Sequence, residues 1–196
     1  MKKIIAILLA AIMLLSVVSC GNASTSTTTT TTTTTTTNNS EGNGNTPEND
    51  NDGVIAPSVE EGSMGETLWN AFVTAITEAP EATAEELANV LASDPVIQFA
   101  PASMPVEEDA EYFFGFNEYT ITGFESAAFF QPMIGSIAFI CYVFELPEDA
   151  DVNTFIKALN DNCNPNWVIC DQAGDPVIGA VDNTVFFLMY PIEEAE

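Results

Sequence analysis

Thr27 to Thr37 is an unbroken run of eleven threonines, set within a longer stretch, Cys20 to Gly62, made almost wholly of Thr, Ser, Asn, Gly, Asp and Glu. Val54, Ile55 and Val59 are its isolated apolar exceptions. Such a composition cannot bury enough apolar surface to offset the entropy of ordering the chain. The sequence therefore predicts a tether over residues 20–62 and confines any core to residues 63–196, a length that suits one domain. As a flexible coil the tether would hold its ends ~35 Å apart, and drawn out it would reach ~140 Å. Its composition is also that of O-glycosylated stalks.

Ahead of the tether, Lys2 and Lys3 precede the apolar segment Ile4 to Leu15, and small residues follow. This is the three-part layout of an export signal over residues 1–19, and it is short for a transmembrane helix, which wants ~20 apolar residues. Val17-Val18-Ser19-Cys20 resembles the bacterial lipoprotein motif, in which the cysteine receives a diacylglyceryl thioether and becomes the mature N-terminus. The resemblance implies that Cys20 is the lipidation site, carrying fatty acyl chains such as palmitate, at the extracellular face of the cell membrane. The alternative is ordinary secretion, with a cut near Ser19 or Ala23. Two or more acyl chains hold a protein stably, because each buried methylene contributes ~0.8 kcal/mol.

The chain carries 29 acidic residues against three lysines, with no arginine and no histidine, for a formal charge of −26. A domain this acidic repels phosphate backbones and anionic headgroups, so nucleic acid is excluded as a partner and any membrane contact falls to the lipid alone. Acidity of this kind also confers solubility.

Within residues 63–196, Ser63-x-x-Glu66 and Thr83-x-x-Glu86 read as capping boxes that start two helices. Leu68, Phe72, Ala75 and Ile76 share a face of the first; Leu87, Val90 and Leu91 share a face of the second, which Asp94-Pro95 ends. Tyr119 to Phe130 is rich in β-branched and aromatic residues, and Ile137 to Phe144 is an apolar run of strand length, read as a central strand. Residues 148–163 return to helical spacing with Val152, Phe155, Ile156 and Leu159. Trp167 to Asp171, Val177 to Val181 and Thr184 to Tyr190 read as three more strands, the last two joined by an Asp182-Asn183 turn. The expectation is an α+β domain: two N-terminal helices, then a largely antiparallel sheet with one further packed helix.

The segments MIGSIAFICYVFEL, DADVNTFIKAL, NPNWVIC and NTVFFLMYP resemble those of small exported proteins and lipoproteins of anaerobic Gram-positive bacteria that have no assigned activity. The similarity is clearest from Gly123 to Pro191. It implies a single domain at the cell surface and brings no catalytic residues with it.

The lack of histidine removes Ser-His-Asp and Cys-His nucleophile systems and HExxH zinc sites. A glycosidase built on two carboxylates needs no histidine, but spacing selects no pair among so many acids. Thr154-x-x-Lys157 has the spacing of Ser-x-x-Lys motifs with threonine in place of serine; the plainer reading pairs Lys157 with Asp161 one turn on. Glu48-x-Asp50-x-Asp52-Gly53-x-Ile55 imitates the start of a calcium loop, yet its twelfth position is Val59 and Pro57 interrupts its exit. No metal and no cofactor are therefore expected. Trp69, Trp167 and the cluster Tyr112, Phe113, Phe114 and Phe116 could form a sugar- or peptide-binding surface, although aromatic residues more often fill cores. Cys141, Cys163 and Cys170 are odd in number; buried thiols are favoured over a bridge, with Cys163 and Cys170 the pair close enough to close a small loop.

The sequence thus leaves a lipid-anchored surface protein whose domain binds a cell-wall polymer, a glycan or another protein. A small carboxylate-based glycan hydrolase is the alternative.

Overall fold

The computed structural model describes residues 53–107 and 110–192. The signal segment, Cys20, the threonine run and the first five positions of the calcium-loop imitation lie outside these residues. The chain runs β1 (Val54–Ile55), α1 (Met64–Glu78), α2 (Ala84–Ala92), β2 (Pro101–Pro105), β3 (Ser126–Pro132), β4 (Ile140–Glu145), α3 (Val152–Asn162), β5 (Val177–Val181) and β6 (Thr184–Met189). All six strands join one antiparallel sheet in the order β1-β5-β6-β4-β3-β2. This is the expected α+β class. No helix among the described residues is long and apolar enough to cross a membrane.

The sheet is buried on both faces, which explains why β4 and β6 are apolar at nearly every position. Period-two alternation divides them. Cys141, Val143, Phe186 and Leu188 meet Leu68, Trp69, Phe72, Leu87 and Leu91 from α1 and α2. Ile140, Tyr142, Phe144, Val185, Phe187 and Met189 face the other way, toward Phe155 and Leu159 of α3 and the segment holding Phe113, Phe116 and Ile121. Each such side chain fully withdrawn from water contributes ~1.5–3 kcal/mol.

Local signals start the helices as read. Thr83 and Glu86 form the full reciprocal box, at 2.9 Å and 3.3 Å. The Ser63 hydroxyl accepts from the Glu66 amide at 3.1 Å, but the Glu66 carboxylate reaches back to the Gly62 amide at 2.6 Å, one residue early. Asp151 caps α3, accepting from the Thr154 amide and hydroxyl; these two bonds hold its carboxyl below the usual range.

Several expectations are corrected. The tether was placed over residues 20–62, yet Val54 and Ile55 pair with Val181 and Ala180, so the sheet takes in residues nine positions before the expected boundary at 63 and the two helices do not open the fold. Gly179 makes that docking fit. A Cβ there would lie 2.7 Å from the Ile55 carbonyl oxygen, 2.7 Å from the Trp69 ring and 2.8 Å from Pro57.

Only the end of Tyr119–Phe130 is strand. β3 already has β2 and β4 on its two sides, so Ile121 and Phe124 cover a sheet face instead. Trp167–Asp171 is a loop: Trp167 and Val168 pack inward while Ile169 and Cys170 face solvent, and pairing resumes only at Ala173 with Pro191. On α2, Val90 is exposed.

The outer edge at β2 is protected by its composition. Val106 donates to Ala127 and Met133 to Ala100, so on this register Ala102 and Met104 also face β3, and Pro101, Ser103 and Pro105 point outward. Two of these three have no amide to offer another strand.

Candidate functional site

Two loops meet beside the hairpin that joins β3 to β4. In the first, Gly115 adopts φ +81°, a conformation open to glycine, and a Cβ there would lie 2.7 Å from Met189 Cε and 2.9 Å from Ile140 Cγ2. The loop therefore presses onto the sheet. The buried Tyr142 hydroxyl donates to the Phe114 carbonyl at 3.2 Å, and burial pushes the Tyr142 pKa far up, so the phenol stays a neutral donor. The second loop, after α3, is fastened to the first where the Asn164 amide donates to the Gly115 carbonyl at 2.8 Å and Cys163 bridges Phe116. Its far end is held by Asp171, which accepts from the Ala138 amide at 2.7 Å.

Between these loops and the hairpin lies a cleft of about 450 Å³, with Tyr112 and Phe114 on one side, Trp167 and Ile169 on another, and Met133 and Ile137 on the third. Among the described residues, none that lines it is charged, in a chain with 29 acids. Its rim is apolar and open to water: Tyr112 is 62% exposed, Met133 71%, and Ile169 fully exposed. A smaller cavity of about 250 Å³ adjoins it, sharing Tyr112 and Phe114.

The aromatic residues singled out in the sequence divide. Trp69, Phe113 and Phe116 are buried core, as the plainer reading held, whereas Tyr112, Phe114 and Trp167 converge on the cleft. Met133 and Ile169 carry no sequence motif. They lie in two stretches free of charged residues, 126–144 and 162–170, and that gap in an acidic chain is the signal that marks them.

The candidates for chemistry do not gather there. Lys157 pairs with Asp161 on α3, and Thr154 serves its cap. Among the described residues, no group of three or more His, Cys, Asp or Glu is placed to hold a metal ion. Glu78, Glu81 and Glu86 line a cavity beside the α1–α2 connection, but all three are exposed and Glu86 is engaged in the α2 cap. Of the thiols, Cys141 is buried, Cys163 half-buried and Cys170 exposed, and all three are free; the preference for buried thiols holds for Cys141 and is corrected for Cys170.

In comparisons with protein-family models, curated proteins and solved structures, nothing matches this chain.

Proposed function

We propose that this chain is a surface lipoprotein, anchored through Cys20 at the extracellular face of the membrane, whose folded part is a protein-interaction module. The uncharged, apolar-rimmed cleft is the observation that supports the interaction module, and the anchor rests on the Val17–Cys20 motif alone. Tyr, Trp and Met side chains presented together are typical of interface centres, from which charged residues are depleted. A polymer rich in hydroxyl groups would leave the aliphatic tips of Met133 and Ile169 poorly matched, whereas an apolar protein segment would bury them. The tether would let the module search a wide shell above the membrane.

Photo-crosslinking on intact cells tests the assignment. A crosslinker at Ile169 or Met133 is expected to capture a discrete adduct, and one at Val90, exposed on α2, is expected to capture none. Equal adducts at all three positions, or none at the cleft, would overturn it. Separately, Cys20→Ala is expected to release the protein from the membrane fraction and abolish fatty-acid labelling. Retention with label would remove the anchor.

A further inference from the structure

The smaller cavity has a different chemistry from the cleft beside it. Five of its ten lining residues are aromatic, the rest being Glu107 and four aliphatic residues. Tyr112 and Phe114 stand perpendicular, 89° apart with centroids at 5.3 Å, and Phe129 lies 6.0 Å beyond Phe114. Tyr142, 5.3 Å from Phe129, is part of the floor. Glu107 lines it, and among the described residues no lysine does. The negative faces of aromatic rings attract a cation, most strongly one whose own hydration is weak. A quaternary ammonium group presents methyl groups and leaves water more readily than a primary ammonium or a metal ion does. A volume of about 250 Å³ is ample for such a group.

From these rings and this charge, we infer that the cavity bounded by Tyr112, Phe114, Phe129 and Glu107 binds a small quaternary ammonium cation of the choline type. The net charge of −26 adds a long-range attraction for such ligands. Glu107, exposed at the site, supplies the counter-charge. Tyr112 contributes both to this cavity and to the cleft, so a cation held here would also fix one wall of the interaction surface. The inference does not depend on the cleft having a protein partner.

Calorimetric titration of the purified full chain with choline, at constant ionic strength, tests it against 3,3-dimethylbutan-1-ol, the uncharged isostere. Choline is expected to bind saturably and the isostere about tenfold more weakly or worse. Tyr112→Phe should keep the affinity, because the ring remains, while Tyr112→Leu and Glu107→Gln should each lower it several-fold. Tyr112 and Glu107 are both exposed, and circular dichroism would verify that the variants fold. Equal binding of the isostere would reduce the cavity to an apolar hole, and no saturable choline binding would overturn the proposal outright. Ile169→Ser removes the apolar tip without adding charge and lies outside this cavity, so it should leave choline affinity unchanged, and loss of crosslinking from Met133 and loss of cation binding can be told apart.

Discussion

The Glu145 carboxylate, at the end of β4, accepts a hydrogen bond from the Ala84 backbone amide at 2.8 Å. That amide opens α2 and has no partner within the helix. The other carboxylate oxygen receives the Ser126 hydroxyl of β3, so one side chain joins two strands to a helix start.

Glu145→Ala should therefore destabilise the fold by ~1.5–3 kcal/mol, the usual range for a hydrogen bond to a charged group. Glu145→Gln keeps an acceptor and should lose less. Urea denaturation of the two variants measures the difference, and equal losses would show that the charge contributes nothing.

Gly179→Ala should cost ~1–3 kcal/mol through overpacking against Ile55, Pro57 and Trp69. Because two of the three nearest atoms belong to residues 55 and 57, strain should be relieved by lifting β1. Limited proteolysis is expected to gain a cut near Ala56, and a variant cut no faster than the parent would argue against this docking.

Replacing Pro101 and Pro105 together by threonine would restore two outward amides on β2. The double variant should associate edge to edge, seen as a concentration-dependent rise in mass by light scattering. A variant that stays as dispersed as the parent would show that the prolines do not guard this edge.

The three thiols should label in a fixed order. Cys170 is exposed and should react first with a disulfide reagent. Cys163 should follow slowly, since partial burial, then Asp175 and Asp161, raise its pKa and lower its thiolate fraction. Cys141 is fully buried with its pKa pushed well up, and should react only on unfolding. The sign of its linkage follows. The unfolded thiol ionises first, so stability is intact below the ordinary thiol range and falls as pH rises above it. Cys141→Ser should flatten that alkaline decline; an unchanged slope would assign it to other groups.

With 29 acids and three lysines, self-repulsion should make the melting temperature rise from low to moderate sodium chloride, as mobile ions screen charges over ~10 Å at 0.1 M. Calcium at matched ionic strength should add little. A melting temperature indifferent to salt would refute self-repulsion, and a saturable calcium increment would reveal a specific site.

The sequence by itself determined what depends on neighbours along the chain. Capping residues Ser63, Thr83 and Asp151 begin the helices because their oxygens reach amides three residues on. The hairpin after Val181 is legible in Asp182-Asn183, where Asp182 adopts the left-handed φ of 50° that its short polar side chain tolerates. The runs in β4 and β6 announce strands buried on both faces. Tertiary structure alone decided the rest. Val54 and Ile55 look like stray apolar residues in a tether until β5 supplies their hydrogen-bond partners, and Pro101–Pro105 becomes a strand only beside β3. Trp167–Asp171 has strand composition and, among the described residues, no strand to pair with. The cleft was equally hidden. Tyr112, Met133 and Ile169 are far apart in sequence, and what brings them together is the Gly115 loop pressed against the sheet and fastened to Asn164. Local propensity acts through neighbours a few residues away, whereas strand pairing and cleft formation depend on which distant backbones the collapsed core leaves side by side.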